Sequence, residues 1–199
     1  MKKHSERSVF RVLSPVAALL CVCTVSAALL AGASEITREP INEAQRQTQL
    51  ASMMAVLPPE TADCEKMSIP DSSAECFRAV DRDGKTIAYA VSSSAGGYGG
   101  RISVMTGIGT DGCVLAVSVY DNSTETPGLG AKTSEPEFTS QFAVNKAVPG
   151  FCVTKDAPVN DGFETIDAVT GATISSRAVA SCVTHAVEVY KQATEENDE

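Results

Sequence analysis

The spacing of apolar and polar positions changes character several times along this chain. Residues 12–34 form an uncharged run of about 23 residues, long enough to cross a bilayer as a helix. Over 38–56, Ile41, Ala44, Leu50, Met53 and Met54 recur loosely at helical spacing, and Pro58-Pro59 ends the helix they predict. Residues 61–73 are polar and broken by Pro70, which predicts a surface connection. Beyond them the period shortens toward that of strands. Segments 76–80 and 86–91 flank Asp83-Gly84, and 102–108 and 113–120 flank Asp111-Gly112, so two hairpins and a four-stranded antiparallel sheet are expected. Phe138 and Phe142 fall on one face of a short helix, directed to the core. Prolines and glycines over 146–164 predict irregular structure, and a short strand is expected over 163–166. The chain closes on an amphipathic helix running to about Gln192. Its apolar stripe is Ile174, Ala178, Cys182, Ala186 and Tyr190, with Val179, Val183 and Val187 beside it.

This order predicts an α+β chain: a single domain with an antiparallel sheet and flanking helices, preceded by one N-terminal transmembrane helix. The expected divisions are a cytoplasmic tail (1–11), the membrane helix (12–34), a juxtamembrane helix (35–60), the extracytoplasmic domain (61–192) and an acidic tail (193–199). Lys2, Lys3, Arg7 and Arg11 precede the apolar run, which predicts a cytoplasmic N-terminus and a domain on the outer side of the cell membrane. Ala31-Gly32-Ala33 also fits the end of a cleaved secretory signal; the length of the run favours an uncleaved anchor.

Charge and composition narrow the chemistry. The 199 residues carry a formal net charge of −9 from scattered acids, whereas binders of nucleic acid usually show a basic face. Tryptophan is absent, so any aromatic platform must use the tyrosines or phenylalanines. Of the seven cysteines, Cys21 and Cys23 lie in the apolar run; Cys64 and Cys76 bound a polar segment and are the best candidates for a disulfide. Cys113 and Cys182 fall on apolar faces and are expected as small core residues. The cysteine spacing matches no four-ligand metal or iron–sulfur pattern, and no dinucleotide-binding glycine fingerprint is present.

Three stretches carry candidate chemistry. Asp167-Ala168-Val169-Thr170-Gly171-Ala172-Thr173-Ile174-Ser175-Ser176 ends at the start of the closing helix, where unpaired backbone N–H groups and the helix dipole favour a phosphate. The same residues also suit a simple N-cap. Gly97-Tyr98-Gly99-Gly100 permits close backbone approach to a ligand or serves as a flexible connector. Glu125-Thr126-Pro127-Gly128-Leu129-Gly130 is a defined turn, because Pro127 restricts one dihedral and Gly128 frees the next.

Asp167-x-x-Thr170-Gly171-Ala172-Thr173 resembles the flavinylation motif of the FMN-binding domain family. Together with the Gly97 and Glu125 segments, it is similar to the G subunit of the Rnf electron-transport complex and to its relative, the C subunit of the sodium-pumping NADH:quinone reductase. The likeness spans about 35 to about 191. It implies FMN esterified through its phosphate to Thr173, with Thr170, Gly171, Ala172, Ser175, Ser176, Glu125, Thr126, Gly128, Leu129 and Tyr98 around the cofactor. It also implies a flavin transferase that reads Asp167, Gly171, Ala172 and Thr173, and the other Rnf subunits as partners. The implied role is relaying electrons in a ferredoxin:NAD⁺ oxidoreductase that moves Na⁺ or H⁺. The alternatives are the corresponding protein of the quinone reductase or an exported binding module without redox activity.

Overall fold

The computed structural model describes residues 3–69, 72–156 and 162–195, with side chains described from residue 15 onward. Contacts divide the chain into two units, 1–47 and 48–199. The first is helical. It belongs to α1 (Lys3–Val56), which runs unbroken across the boundary expected between residues 34 and 35 and contains both Pro15 and Pro40. Within 15–56 lies an apolar window of mean hydropathy 2.3, long enough to cross a membrane.

The second unit is built on a five-stranded antiparallel meander: β1 (Asp63–Met67), β2 (Glu75–Val80), β3 (Thr86–Gly96), β4 (Arg101–Gly109) and β5 (Val114–Asp121), in that spatial order. Both expected hairpins form. Gly84 and Gly112 take φ of 77° and 78° at their turns, a backbone region that costs other residues a steric penalty. Two expectations fail in the same way. The polar 61–73 stretch contains β1, and the Gly97 segment is itself the hairpin turn between β3 and β4, so Ser92 and Ser93 are buried strand residues. Polar strand residues escape a search for apolar alternation. Here β1 is an edge strand that joins β2 through the Lys66–Glu75 and Arg78–Glu65 ion pairs.

The strand period sorts side chains between two cores. Tyr89, Val91, Ile102, Val104, Ile108, Val117 and Val119 face α3 (Thr173–Glu195) and pack in one cluster with Ala178, Val179, Cys182, Val183, Ala186 and Val187. Burying each such valine or isoleucine contributes about 1.5–3 kcal/mol. Ala79, Ala88, Ala90 and Met105 face the other way, where Met53, Val56 and Leu57 cover them. Small residues are needed there: a Cβ on Gly107 would lie 2.1 Å from the Val56 carbonyl oxygen.

Cys64 and Cys76 do not form the disulfide their spacing suggested; both are free thiols. Cys64 pairs with Ala79 and Cys76 with Met67, three residues apart in register. Cys64 also packs against the α1 side while Cys76 lies in the α3 side core, so their side chains leave opposite faces of the sheet. Cys182 is buried as expected, but Cys113 is half-exposed beside the Gly112 turn.

After β5 come a 3-10 turn at Gly130–Ser134, α2 (Pro136–Thr139) and a second 3-10 turn at Ser140–Phe142, which bury Phe138 and Phe142. The expected irregular stretch contains β6 (Phe151–Val153), parallel to β7 (Glu164–Ile166). β7 delivers the chain to Asp167 and the start of α3, which continues to Glu195 into the expected acidic tail.

A candidate flavin cleft at the start of α3

Thr173 is the first residue of α3, and Ala172 precedes it as a buried cap whose carbonyl accepts the Ser176 N–H at 2.9 Å. The Ser176 hydroxyl locks the turn from beneath, donating to the Ala172 carbonyl at 3.0 Å and accepting the Val169 N–H at 3.0 Å. It is fully buried. Gly171 turns the chain into the helix with φ of 79°, and a Cβ there would stand 3.1 Å from Leu129 Cδ2. The amides of Thr173, Ile174 and Ser175 have no acceptor inside the helix, and no other described residue supplies one.

Glu125 holds the other walls in place. Its carboxylate is 3% exposed; one oxygen accepts the Gly99 N–H at 2.9 Å and the other accepts the Ser175 hydroxyl at 2.6 Å. Among the described residues no cation pairs with it. Room for the carboxylate is made by glycine: a Cβ at Gly97 would come within 2.3 Å of Oε1, and one at Gly130 within 2.1 Å of Oε2. A hydrogen-bonded carboxylate therefore ties the β3–β4 turn and the Glu125 turn to the first turn of α3. The Glu125 turn is closed by Leu129 N–H to the Thr126 carbonyl at 3.1 Å, with φ of 77° at Gly128.

These segments enclose a cleft of about 590 Å³, within the size range of small-molecule sites. The structure brings Tyr98, Glu125, Thr126, Leu129, Gly171, Ala172, Thr173 and Ser175 together on it. Gly130 of the Glu125 turn also lines it, as does Ile174, which was expected on the apolar stripe of the closing helix but is exposed here; Lys155 lines it too, and sequence reasoning assigned that residue no part. Lys155 had no local signal, because it reaches the cleft only through the pairing of β6 with β7. Tyr98, Leu129 and Ile174 expose 70%, 43% and 49% of their surface at the mouth, large apolar groups that a soluble face normally covers.

Four expected residues lie elsewhere. Gly128, Asp167 and Thr170 line a second cleft of about 290 Å³ with Lys132 and Gln141. Asp167 is fixed there: its N–H donates to Gln141 Oε1 at 2.7 Å and its carboxylate accepts the Thr154 hydroxyl at 2.9 Å. Ser176 lies beneath the turn and lines neither cleft.

The donor set fits a flavin phosphate. Unpaired amides and a half-exposed hydroxyl lie together at the start of α3 on one cleft, and apolar side chains sufficient to flank a ring also line it. The fold is that of an FMN-binding domain, and that family matches residues 97–188. The chain is 35% identical over 188 residues to the G subunit of the proton-translocating ferredoxin:NAD(+) oxidoreductase complex of Clostridium ljungdahlii, covering 94% of each. It is 32% identical over 187 residues to the Na(+)-translocating counterpart of Acetobacterium woodii, covering 87% of this chain and 88% of that one. This chain belongs to the family of G subunits of ion-translocating oxidoreductase complexes, the Rnf type. Its fold is also that of the C subunit of the Na(+)-translocating NADH-quinone reductase from Parabacteroides distasonis, known from a crystal structure. That likeness has a TM-score of 0.58 at 18% identity over 77% of this chain and 94% of that one.

Proposed function

We propose that this chain is the electron-carrying member of a membrane-bound, ion-translocating ferredoxin:NAD⁺ oxidoreductase, and that it holds FMN by a phosphoester to Thr173. The observation that carries this reading is the position of Thr173: the first residue of α3, half-exposed, on the cleft, with three unpartnered amides at 173–175. Bound FMN supplies reversible electron transfer, which none of the twenty side chains offers at comparable potentials.

The residues divide the remaining work. The Thr173 hydroxyl would supply the ester oxygen: its bond to the FMN phosphorus would replace the phosphoanhydride bond of an FAD donor, AMP would leave, and the hydroxyl proton would pass to a base of the transferase. The amides of Thr173, Ile174 and Ser175, unpaired at the helix start, would hold the phosphate and stabilise its anionic charge without reorganising. Tyr98, Leu129 and Ile174 keep water from the ring by giving up their own exposed surface. Glu125 keeps these groups in register through Gly99 and Ser175. Asp167, Gly171 and Ala172 are the residues the transferase reads; Asp167 is exposed and held rigidly enough by Thr154 and Gln141 to serve as a fixed mark. The apolar window of α1 anchors the chain in the cell membrane, and the cations ahead of it keep the N-terminus in the cytoplasm, leaving the flavin domain outside.

Intact mass tests the reading. The full chain co-produced with its flavin transferase gains the mass of FMN less one water, and its denatured gel band fluoresces. Thr173→Ala abolishes both while the fold persists. Bare polypeptide from the unaltered chain, or flavin retained on the alanine variant, refutes the assignment and favours a module without redox activity or an attachment elsewhere.

A further inference from the structure

We propose that Lys155 is the cation facing the phosphate at Thr173, an inference that rests on the FMN attachment proposed above. Lys155 lines the cleft together with Thr173, Ile174 and Ser175, and is the one basic residue to do so among the described residues. Its side chain is exposed and has no ion-pair partner among them.

The backbone on both flanks is tied down. On one side Thr154 donates its N–H to the Ile166 carbonyl at 2.8 Å, and its single hydroxyl proton is shared between that carbonyl and the Asp167 carboxylate, each at 2.9 Å. On the other, the Asp156 N–H reaches the Val153 carbonyl at 2.7 Å, and the Asp156 carboxylate accepts the Arg177 guanidinium, 2.8 Å from Nε to Oδ2. Arg177 is in the second turn of α3, so this pair fastens the turn carrying Lys155 to the helix that begins at Thr173.

The carboxylates that would compete for the ammonium are already engaged. Asp156, next in sequence, is occupied by Arg177, whose hydrogen bond holds its carboxyl below the usual range. Glu125, the acid on the cleft wall, is buried and spends its two oxygens on Gly99 and Ser175. With the acids of the cleft wall and of the Lys155 turn engaged among the described residues, a phosphate joined to Thr173 is the anion the cleft would offer Lys155. The arrangement also answers the net charge of −9, which repels an incoming anion: a cation on the cleft wall offsets that field locally. Charge on the wall also makes the cleft select a flavin that bears phosphate over one that lacks it.

The full chain, purified in a phosphorus-free detergent, is incubated with FAD, Mg²⁺ and the transferase, and loading is followed by intact mass beside Lys155→Gln and Lys155→Arg. The phosphorus-31 resonance of each loaded chain is then recorded. Lys155→Gln loads roughly two- to fivefold more slowly, the scale of an exposed ion pair, and its phosphorus resonance moves. Lys155→Arg keeps both near the unaltered values. Equal rates with an unmoved resonance in Lys155→Gln overturn the inference. Slower loading with an unmoved resonance also overturns it, because the lysine then serves the transferase instead of the phosphate. No mass gain on the unaltered chain refutes the attachment at Thr173, and this inference with it; normal gain without an effect in Lys155→Gln refutes this inference alone.

Discussion

Ser175 donates its hydroxyl to Glu125 across 2.6 Å, joining residues 50 positions apart in sequence. The second Glu125 oxygen receives the Gly99 amide, so one buried side chain spans the β3–β4 turn, the Glu125 turn and the start of α3. Truncating it leaves two donors without their acceptor, a loss of about 1–3 kcal/mol. Glu125→Ala is expected to lower the unfolding free energy measured in urea by that amount and to speed hydrogen exchange at the Gly99 amide. Ser175→Ala, which leaves the Gly99 bond intact, should leave that amide protected. Equal exchange at Gly99 in Glu125→Ala and the unaltered chain would show that the carboxylate does not hold the turn.

The back of the sheet depends on one glycine in the same way. A methyl group on Gly107 meets the Val56 carbonyl oxygen at 2.1 Å, and a backbone atom cannot swing aside as a side chain does. Gly107→Ala is therefore expected to destabilise the domain by about 1–3 kcal/mol and to loosen the last turn of α1 from β4. Thermal unfolding followed by circular dichroism measures the first effect; greater protease access near Met54, which is exposed there, reports the second.

Acid should weaken the domain in a definite direction. Glu75 is held below its ordinary value by hydrogen bonds from Lys66 and Gln49, and Asp156 by its bond from Arg177. A carboxylate whose folded pKa is depressed adds stability above its unfolded pKa and loses it as pH falls through the folded one. The melting temperature should thus be level near neutrality and fall from about pH 5 downward. Glu75→Gln should flatten part of that fall. A melting temperature that rises on acidification would contradict both assignments.

The cysteines offer a chemical test of register. Burial raises the Cys76 and Cys182 thiols to about 11, so neither is a reactive thiolate near neutral pH. Iodoacetamide at about pH 8 should label Cys76, Cys152 and Cys182 only after unfolding, because all three are buried. The reduced and unreduced chains should have the same peptide map. A Cys64–Cys76 linked peptide would require β1 to pair with β2 in another register.

What the sequence settled by itself was local. The Asp-Gly turns, the alternation along β3 to β5 and the stripe of α3 are encoded within a few residues of where they act, because dihedral preference and the 2.0 and 3.6 periods are short-range properties. The Thr170-Gly171-Ala172-Thr173 stretch was legible for the same reason: a helix start with an uncovered backbone is written in consecutive residues. Tertiary structure decided which distant groups share a space. It set Cys64 and Cys76 on opposite faces, paired polar β1 with β2, joined Glu125 to Ser175, and brought Lys155 to Thr173 while moving Asp167 and Thr170 to the neighbouring cleft. Each of these depends on strand register and on how β6 and β7 feed α3, relationships between segments far apart in the chain that no local pattern of apolar and polar residues records.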